Sequence, residues 1–260
     1  LCLSGGKGQG KPNKTAVSAD TAKELIIMAV DLKEIFAVRT AYNEDINPQK
    51  IYLSLDEAKA FCDKKAQYGY VVYNLEDKPV YLPFGTLMAS KILYNAKKVA
   101  DYVNAKGYKY GHAQINPAID RGATEKIVSC DRFVGWTLFD TGFSYNHLRK
   151  HGYTLYGPQN LENYLISMGF TRIDDINEVR GGDVMFVGVS DWFTSLPEDW
   201  KSYPDHTFIC AGPSTDGRFF RYDGGSDKRL QSIQPLDEPL ELPKKPFRFA
   251  YRAPEEIPNI

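Results

Sequence analysis

Apolar positions recur with a helical period in the middle of the chain and with a strand period in the last third. The clearest helical stretch begins at Leu87 and stops at Gly107. Four later segments, "GDVMFVG", "HTFICAG", "RFFRYDGG" and "FRFAYR", have the pattern of strands. Helices followed by antiparallel strands predict an α+β fold rather than a doubly wound sheet.

A smaller unit precedes the long helix. "KIYLS" predicts a strand, and the residues after it predict a helix capped by Ser54. "YVVYN" and "PVYLP" predict a hairpin around "LEDK". We therefore expect a flexible lead (1–20), a β-α-β-β module (21–84), a larger α+β domain (85–252) and a short tail (253–260).

The glycine-rich lead contains the spacing GxxxxGK between Gly5 and Lys11, which is typical of a phosphate-binding loop. That loop needs a buried strand before it and a helix after it. Here no apolar strand precedes the glycines, and Pro12 follows the lysine. The spacing therefore predicts a linker.

Composition narrows the classes of function. The chain is 43% hydrophobic and 25% charged with a formal net charge of −1, which gives no basic surface for nucleic acid. Its longest apolar run, "LIIMAV", is far shorter than the ~18 residues of a membrane helix, and no complete signal peptide is visible. We expect a monomer with no membrane span.

The four cysteines (Cys2, Cys62, Cys130 and Cys210) are too sparse for a disulfide framework or a zinc site. Cys62 and Cys210 lie on apolar faces and are predicted to be core residues. Cys130 begins the helical pattern "CDRFVGWTL" and shares its apolar face. Packing alone favours a core role for it, but a helix N-terminus lowers the pKa of a thiol and favours a nucleophile.

The histidines offer one candidate base. We expect His112 in an exposed loop, and His147 and His151 as a solvated pair rather than metal ligands, because no third ligand has a suitable spacing. His206 heads the strand "HTFICAG" and could act as a general base if the strand packs beside the start of the cysteine helix.

A carboxylate is predicted beside that base. The turn "PSTD" pairs residue 212 with residue 217 and so places Asp223 opposite His206, where it could fix the tautomer and orientation of the imidazole. A two-residue turn would instead bring Asp227 opposite the histidine. The choice depends on the register of the hairpin.

Five segments in this order resemble the NlpC family of papain-like cell-wall cysteine peptidases. They are "NAKGYKYG", "VSCDRFVGWTL", "RGGDVMFVG", "DHTFICAG" and "FFRYDGGS", and together they span about residues 88–226. The resemblance implies a papain-like domain with Cys130 as nucleophile, His206 as base, Asp223 as orienting residue and Tyr108 near the oxyanion. Family members commonly carry His, Asn or Gln in the third place.

The box around the nucleophile departs from the family pattern. "SCDRF" stands where the family usually has "DCSGF". Asp131 would oppose formation of the thiolate if it pointed inward, and Arg132 would favour it.

The resemblance implies hydrolysis of amide bonds in peptidoglycan stem peptides through a thioester, without a metal or cofactor, outside the cell or in its envelope. It also implies a targeting or substrate-positioning role for the N-terminal module. Two alternatives remain open: an N-acetylmuramoyl-L-alanine amidase or acyltransferase on the same scaffold, and a wall-binding protein that does not turn over substrate.

Overall fold

The computed structural model describes residues 35–42, 50–111, 126–152, 157–188, 203–213, 219–224 and 246–259. Five α-helices lie in these ranges: α1 (Leu55–Asp63), α2 (Leu87–Ala105), α3 (Cys130–Thr141), α4 (Tyr145–Lys150) and α5 (Pro158–Ser167). The first six strands are β1 (Phe36–Thr40), β2 (Lys50–Tyr52), β3 (Tyr70–Tyr73), β4 (Pro79–Tyr81), β5 (Lys109–Tyr110) and β6 (Ile127–Val128). The remaining strands are β7 (Thr171–Ile173), β8 (Val184–Val187), β9 (His206–Pro213), β10 (Phe219–Tyr222) and β11 (Phe247–Arg252).

The C-terminal strands form a five-stranded antiparallel sheet in the order β10-β9-β8-β11-β7. Alternation along β9 divides its side chains between two cores, as the period of two predicts. Ile209 and Ala211 join the main core with α2, α3 and α5, whereas Phe208 and Cys210 join a second core. The prediction of an α+β fold is confirmed.

The N-terminal module is a four-stranded antiparallel sheet in the order β2-β1-β3-β4. Ser54 caps α1 as predicted, because its Oγ accepts a hydrogen bond from the Glu57 amide at 3.4 Å. Cys62 is a core residue as predicted, and it packs with Val38 and Val72 beneath this helix. Strand β1 was not predicted, although it lies inside the sheet.

The module packs against the rest of the chain. The Tyr222 hydroxyl of β10 donates a hydrogen bond to the Gln67 carbonyl at 3.1 Å. Gly69 sits so close to α2 that an added Cβ would lie 2.8 Å from the Tyr94 amide nitrogen, and its φ of 77° also favours glycine. The predicted boundary at residues 84 and 85 is therefore crossed by close contacts. The predicted tail also contributes to the main core, through Ala253 and Ile257.

The register of the β9–β10 hairpin differs from the prediction. Gly212 pairs with Phe220 rather than with residue 217, and a bulge between Phe220 and Arg221 then shifts the pairing by one residue. Extended by one position, this register puts Asp223 opposite Phe208, so the predicted alignment with His206 is wrong.

The predicted flexible lead, the GxxxxGK spacing within it, Cys2, His112 and Asp227 lie outside the described residues. In the part of the chain that the structure describes, no helix is both long and apolar enough to cross a bilayer.

Candidate active site

Cys130 is the first residue of α3. Ser129 before it is extended, and the helix ends at Gly142 in the left-handed conformation. Phe133, Val134 and Leu138 bury the apolar face of the helix in the main core. The thiol is thus held at the helix N-terminus, as predicted, but only 3% of Cys130 is exposed.

The start of α3 meets the start of β9 and the residues that follow β10. The main chain of Thr207 hydrogen-bonds the sulfur of Cys130, which places the thiol beside the residue that follows His206. On the other side, a Cβ added to Gly224 would lie 2.9 Å from the Ser129 carbonyl oxygen. Because Gly224 has no side chain, its main chain can touch the start of α3, and Asp223 is held next to it.

His206 and Asp223 lie in contact despite the altered register. Nε2 of the imidazole is 3.0 Å from Oδ2 of the carboxylate. Residues offset diagonally across two antiparallel strands remain within reach of long side chains, which accounts for the contact. The predicted contact between His206 and Asp223 is therefore confirmed, although the strand register from which it was predicted is wrong.

Arg221 forms an ion pair with the same carboxylate oxygen, its Nε lying 2.8 Å from Asp223 Oδ2. The Nε–H does not point along this line, so the contact is electrostatic rather than a hydrogen bond. A neighbouring guanidinium favours the ionised carboxylate, which can only accept hydrogen bonds. Nε2 of His206 therefore carries the proton toward Asp223, which leaves Nδ1 as the nitrogen that can receive a proton.

The pKa of the Cys130 thiol is raised to about 12. Burial is the main cause and the negative charge of Asp131 is the second, while main-chain hydrogen bonds from Thr207 and Asp131 act in the opposite direction. The main chain at the helix start does act to lower this pKa, as expected from the sequence, but burial outweighs it. A raised pKa favours the protonated thiol at neutral pH.

Asp131 points inward, and its carboxylate is held by three donors. Ser129 Oγ and the Arg132 amide donate to Oδ1, and the Gly157 amide donates to Oδ2 at 2.7 Å. Asp131 is only 1% exposed, and Arg132 is buried as well. The carboxylate thus ties the start of α3 to the start of α5 while its charge disfavours a thiolate at Cys130.

Tyr108 packs in the main core, whereas Tyr110 lies near enough to Cys130 for their charges to interact. The Tyr108 ring packs in the main core between Tyr102 and Trp136, at centroid distances of 5.8 and 5.7 Å. Trp136 is six residues beyond Cys130, roughly 9 Å along the helix axis. These contacts do not support the oxyanion role predicted for Tyr108.

Tyr110 belongs to β5, which pairs in parallel with β6 so that Tyr110 aligns with Val128. The ring is half-buried. Burial raises the pKa of Tyr110 most, and the charges of Cys130, Asp131 and Asp223 raise it further. Its hydroxyl therefore stays protonated and can donate a hydrogen bond near the thiol. Both tyrosines lie in "GYKYG", and only the packing distinguishes them.

His147 and His151 lie apart from this site, on and just after α4. Their ring centroids are 4.2 Å apart. His151 is exposed, but His147 is buried, and burial lowers its pKa. The prediction of a solvated pair is therefore wrong for His147. Among the described residues, no three or more His, Cys, Asp or Glu side chains are grouped as a metal site would require.

Comparison of the chain with models of protein families, with curated proteins and with solved structures gave no match.

Proposed function

We propose that the protein is a papain-like cysteine peptidase that hydrolyses amide bonds in peptidoglycan stem peptides. One observation carries the proposal: the His206 imidazole is bonded to Asp223 at 3.0 Å, at the strand end beside a cysteine that begins a helix. A nucleophile, a base and an orienting group in this order are the parts of a cysteine acyl-transfer site.

The proposed reaction begins with a neutral thiol, because the pKa of Cys130 is raised. His206 Nδ1 takes the thiol proton as the sulfur attacks the amide carbon, so thiolate character develops only during attack. The tetrahedral intermediate carries its charge on the former carbonyl oxygen. In this reaction the main-chain N–H of Cys130 and the Tyr110 hydroxyl would donate to that oxygen.

Collapse of the intermediate breaks the carbon–nitrogen bond. His206 returns the proton to the leaving amine, and the acyl group remains on Cys130 as a thioester. Water, deprotonated by the same imidazole, then attacks the thioester and releases the carboxylic acid together with the thiol. Asp223 stabilises the imidazolium that forms in both halves.

The peptidoglycan substrate and a cell-envelope or extracellular location rest on the resemblance of five ordered segments to the NlpC family. An amidase or an acyltransferase would use the same residues and differ only in the bond cleaved or the acceptor. A wall-binding protein without turnover is the second candidate, and the buried thiol with its raised pKa favours it.

The test is digestion of purified peptidoglycan by the wild type and matched variants. Cys130→Ala should abolish turnover, His206→Ala should lower it nearly as far, and Asp223→Ala should lower it less, because that residue only orients the base. Cys62→Ala is the control, since Cys62 is a buried cysteine of the N-terminal module. It should remain active.

The products distinguish the candidates. An endopeptidase releases new peptide amino termini without free lactyl groups, whereas an amidase frees lactyl groups. Turnover that survives Cys130→Ala would exclude the proposed chemistry, and absence of turnover in a folded wild type that still binds peptidoglycan would favour the binding protein.

A further inference from the structure

Thr207 carries a buried hydroxyl to which no described residue bonds. The residue is 0% exposed, and it follows the candidate base directly in β9. Buried hydroxyl groups nearly always have a hydrogen-bond partner, because an unpaired one destabilises the fold. An exception beside a candidate nucleophile therefore points to a task other than stability.

The side chain of Thr207 points to the face of the sheet on which α3 packs. Thr207 pairs with Phe186 of β8 and lies two residues before Ile209, and both of those residues belong to the main core. Paired residues share a face of a sheet, as do residues two apart along a strand. Helix α3 contributes Phe133 to the same core. The hydroxyl therefore lies on the side of β9 that faces the helix of Cys130.

Gly224 brings the start of α3 close to this hydroxyl. The register of β9 and β10, extended by two positions, puts Gly224 opposite Thr207. A Cβ added to Gly224 would lie 3.4 Å from the Cβ of Phe133, so the glycine faces α3 as well. Thr207 thus supplies the side chain that this pair of residues presents to the helix.

The sulfur of Cys130 is already bonded by the main chain of the same threonine. The hydroxyl and that main-chain group belong to one residue, so both lie near the sulfur. A neutral thiol is a weak acceptor, whereas an anionic acceptor forms hydrogen bonds about twice as strong. The hydroxyl can turn between staggered positions about a single bond. It therefore gains a strong acceptor within reach only when negative charge develops on the sulfur.

We propose that the Thr207 hydroxyl donates a hydrogen bond to the Cys130 sulfur as the thiolate develops. Thr207 then supplies two donors to one atom, its main-chain N–H and its O–H. Donors that are in place before the charge develops stabilise it without rearranging the site. The hydroxyl breaks no bond when it turns, since it has no partner among the described residues. The inference rests on the proposed function, because it assumes that a thiolate develops at Cys130.

The test measures the reactivity of Cys130 in the full chain, with Cys210 as an internal reference. Cys210 is a fully buried residue of β9, so its labelling reports opening of that strand. Iodoacetamide labelling followed by peptide mapping gives both rates in one sample. The ratio of the Cys130 rate to the Cys210 rate then separates the reactivity of the thiol from the opening of the fold.

Thr207→Val keeps the shape of the side chain and removes the hydroxyl. The ratio of rates should fall by about three- to tenfold, because a hydrogen bond to a charged group is lost while the remaining thiolate becomes somewhat more nucleophilic. The melting temperature should rise by about 2–4 °C, since an unpaired buried hydroxyl is removed.

Two further variants show whether the hydroxyl itself is responsible. Thr207→Ser keeps the donor but removes a buried methyl group, so it should lower the melting temperature and leave the ratio within about twofold of the wild type. Thr137→Val is the matched control, because the Thr137 hydroxyl is also buried but donates to the Phe133 carbonyl of its own helix at 2.9 Å. It should leave the ratio unchanged.

The outcomes separate this inference from the proposed function. A ratio that is unchanged or higher in Thr207→Val, or that falls equally in Thr207→Ser or Thr137→Val, would overturn the inference. A lower melting temperature for Thr207→Val would do so too, because the hydroxyl would then have a partner in the folded protein. If Thr207→Val lowers the ratio while the wild type cleaves no peptidoglycan, the donor stands and the peptidase proposal fails. Cleavage that depends on Cys130, with a ratio indifferent to Thr207, gives the opposite result.

Discussion

Asp131 and Ser129 stand, in exchanged order, where the "DCSGF" box of the resembled family has its Asp and Ser. The Ser129 hydroxyl donates to the Asp131 carboxylate, so the two side chains still bond to each other across Cys130. The exchange moves the negative charge into the first turn of α3, where it raises the pKa of the thiol. Asp131 therefore organises the helix start at the expense of the reactivity of Cys130.

Replacing this charge should make the thiol more reactive. Asp131→Asn keeps an oxygen acceptor for Ser129 and the Arg132 amide but removes the negative charge, which lowers the pKa of Cys130. We expect iodoacetamide to label Cys130 roughly 3- to 10-fold faster at pH 7.5. Peptide mapping by mass spectrometry would measure the rate.

The matched control is Asp140→Asn, an exposed aspartate near the end of the same helix. Its labelling rate should equal that of the wild type. A rate for Asp131→Asn that is unchanged or lower would show that the carboxylate does not suppress the thiolate.

The raised pKa of Cys130 also predicts a pH profile for labelling. Only the thiolate reacts, and its fraction grows about tenfold per pH unit while the pH is below the pKa. Since that pKa is about 12, labelling of the wild type should accelerate steadily from pH 7 to pH 10. A rate already constant near pH 7, typical of a thiolate paired with an imidazolium, would contradict the neutral thiol in the proposed reaction.

For individual residues, the sequence predicted which side chains form the candidate site better than it predicted the groups packed around them. Cys130, His206 and Asp223 could be predicted because a helix start and two neighbouring strands restrict where those side chains can lie. Tyr110 could not be separated from Tyr108, because both lie in the same short segment and their difference is one of packing. No local sequence pattern indicated that burial would raise the pKa of the Cys130 thiol.

Among the elements, the hairpin of β9 and β10 shows how a contact can be predicted from an incorrect register. Gly212 pairs with Phe220, three positions beyond the predicted residue 217, and the bulge between Phe220 and Arg221 then reduces this offset to two; bulges leave no fixed signal in a sequence. Strand β1 was missed for another reason. "FAVRT" follows "LIIMAVDLKEI" without a glycine or proline between them, so no break marks the start of a strand.

The close approach of Gly224 to α3 predicts that a methyl group there would separate the two parts of the site. In Gly224→Ala, the Cβ would lie 2.9 Å from the Ser129 carbonyl oxygen, so the strand end with Asp223 must move away. We expect turnover to fall by about tenfold or more, by comparison with other misplacements of catalytic groups. Peptidoglycan digestion, with thermal unfolding measured in parallel, would show this effect.

Gly152→Ala supplies the comparison. Gly152 has a φ of 67° with no neighbour within 4 Å of an added Cβ, so the substitution strains the main chain in the turn after α4 without a clash. It should lower stability by about 1 kcal/mol and leave turnover intact. Equal losses of turnover in the two variants would assign the Gly224 effect to stability alone.

For the molecule as a whole, the small sheet is part of one packed unit. The hydroxyl of Tyr42, just after β1, accepts a hydrogen bond from Asn95 of α2 at 2.9 Å. Tyr222 reaches Gln67 from the residue next to Asp223. The change of sequence pattern near Pro83 predicted a domain boundary there. Contacts between distant segments depend on tertiary packing, so the local sequence at that boundary could not indicate them.

Loss of the Tyr222 hydroxyl should therefore weaken the whole unit. Tyr222→Phe leaves the Gln67 carbonyl without this donor, and we expect the free energy of unfolding in urea to fall by about 1–2 kcal/mol. Tyr81→Phe is the control, because the Tyr81 hydroxyl bonds to the exposed Asp63 at 2.6 Å within the module. It should have a smaller effect, and equal losses in the two variants would contradict a special role for the link.

Strand β9 lies inside its sheet, with β8 on one side and β10 on the other. Amide protons in such a strand exchange with deuterium only when neighbouring strands open together, so this strand belongs to the slowest-exchanging part of a domain. The candidate base stands at its first residue. The imidazole is therefore anchored to a part of the chain that opens only together with its neighbouring strands.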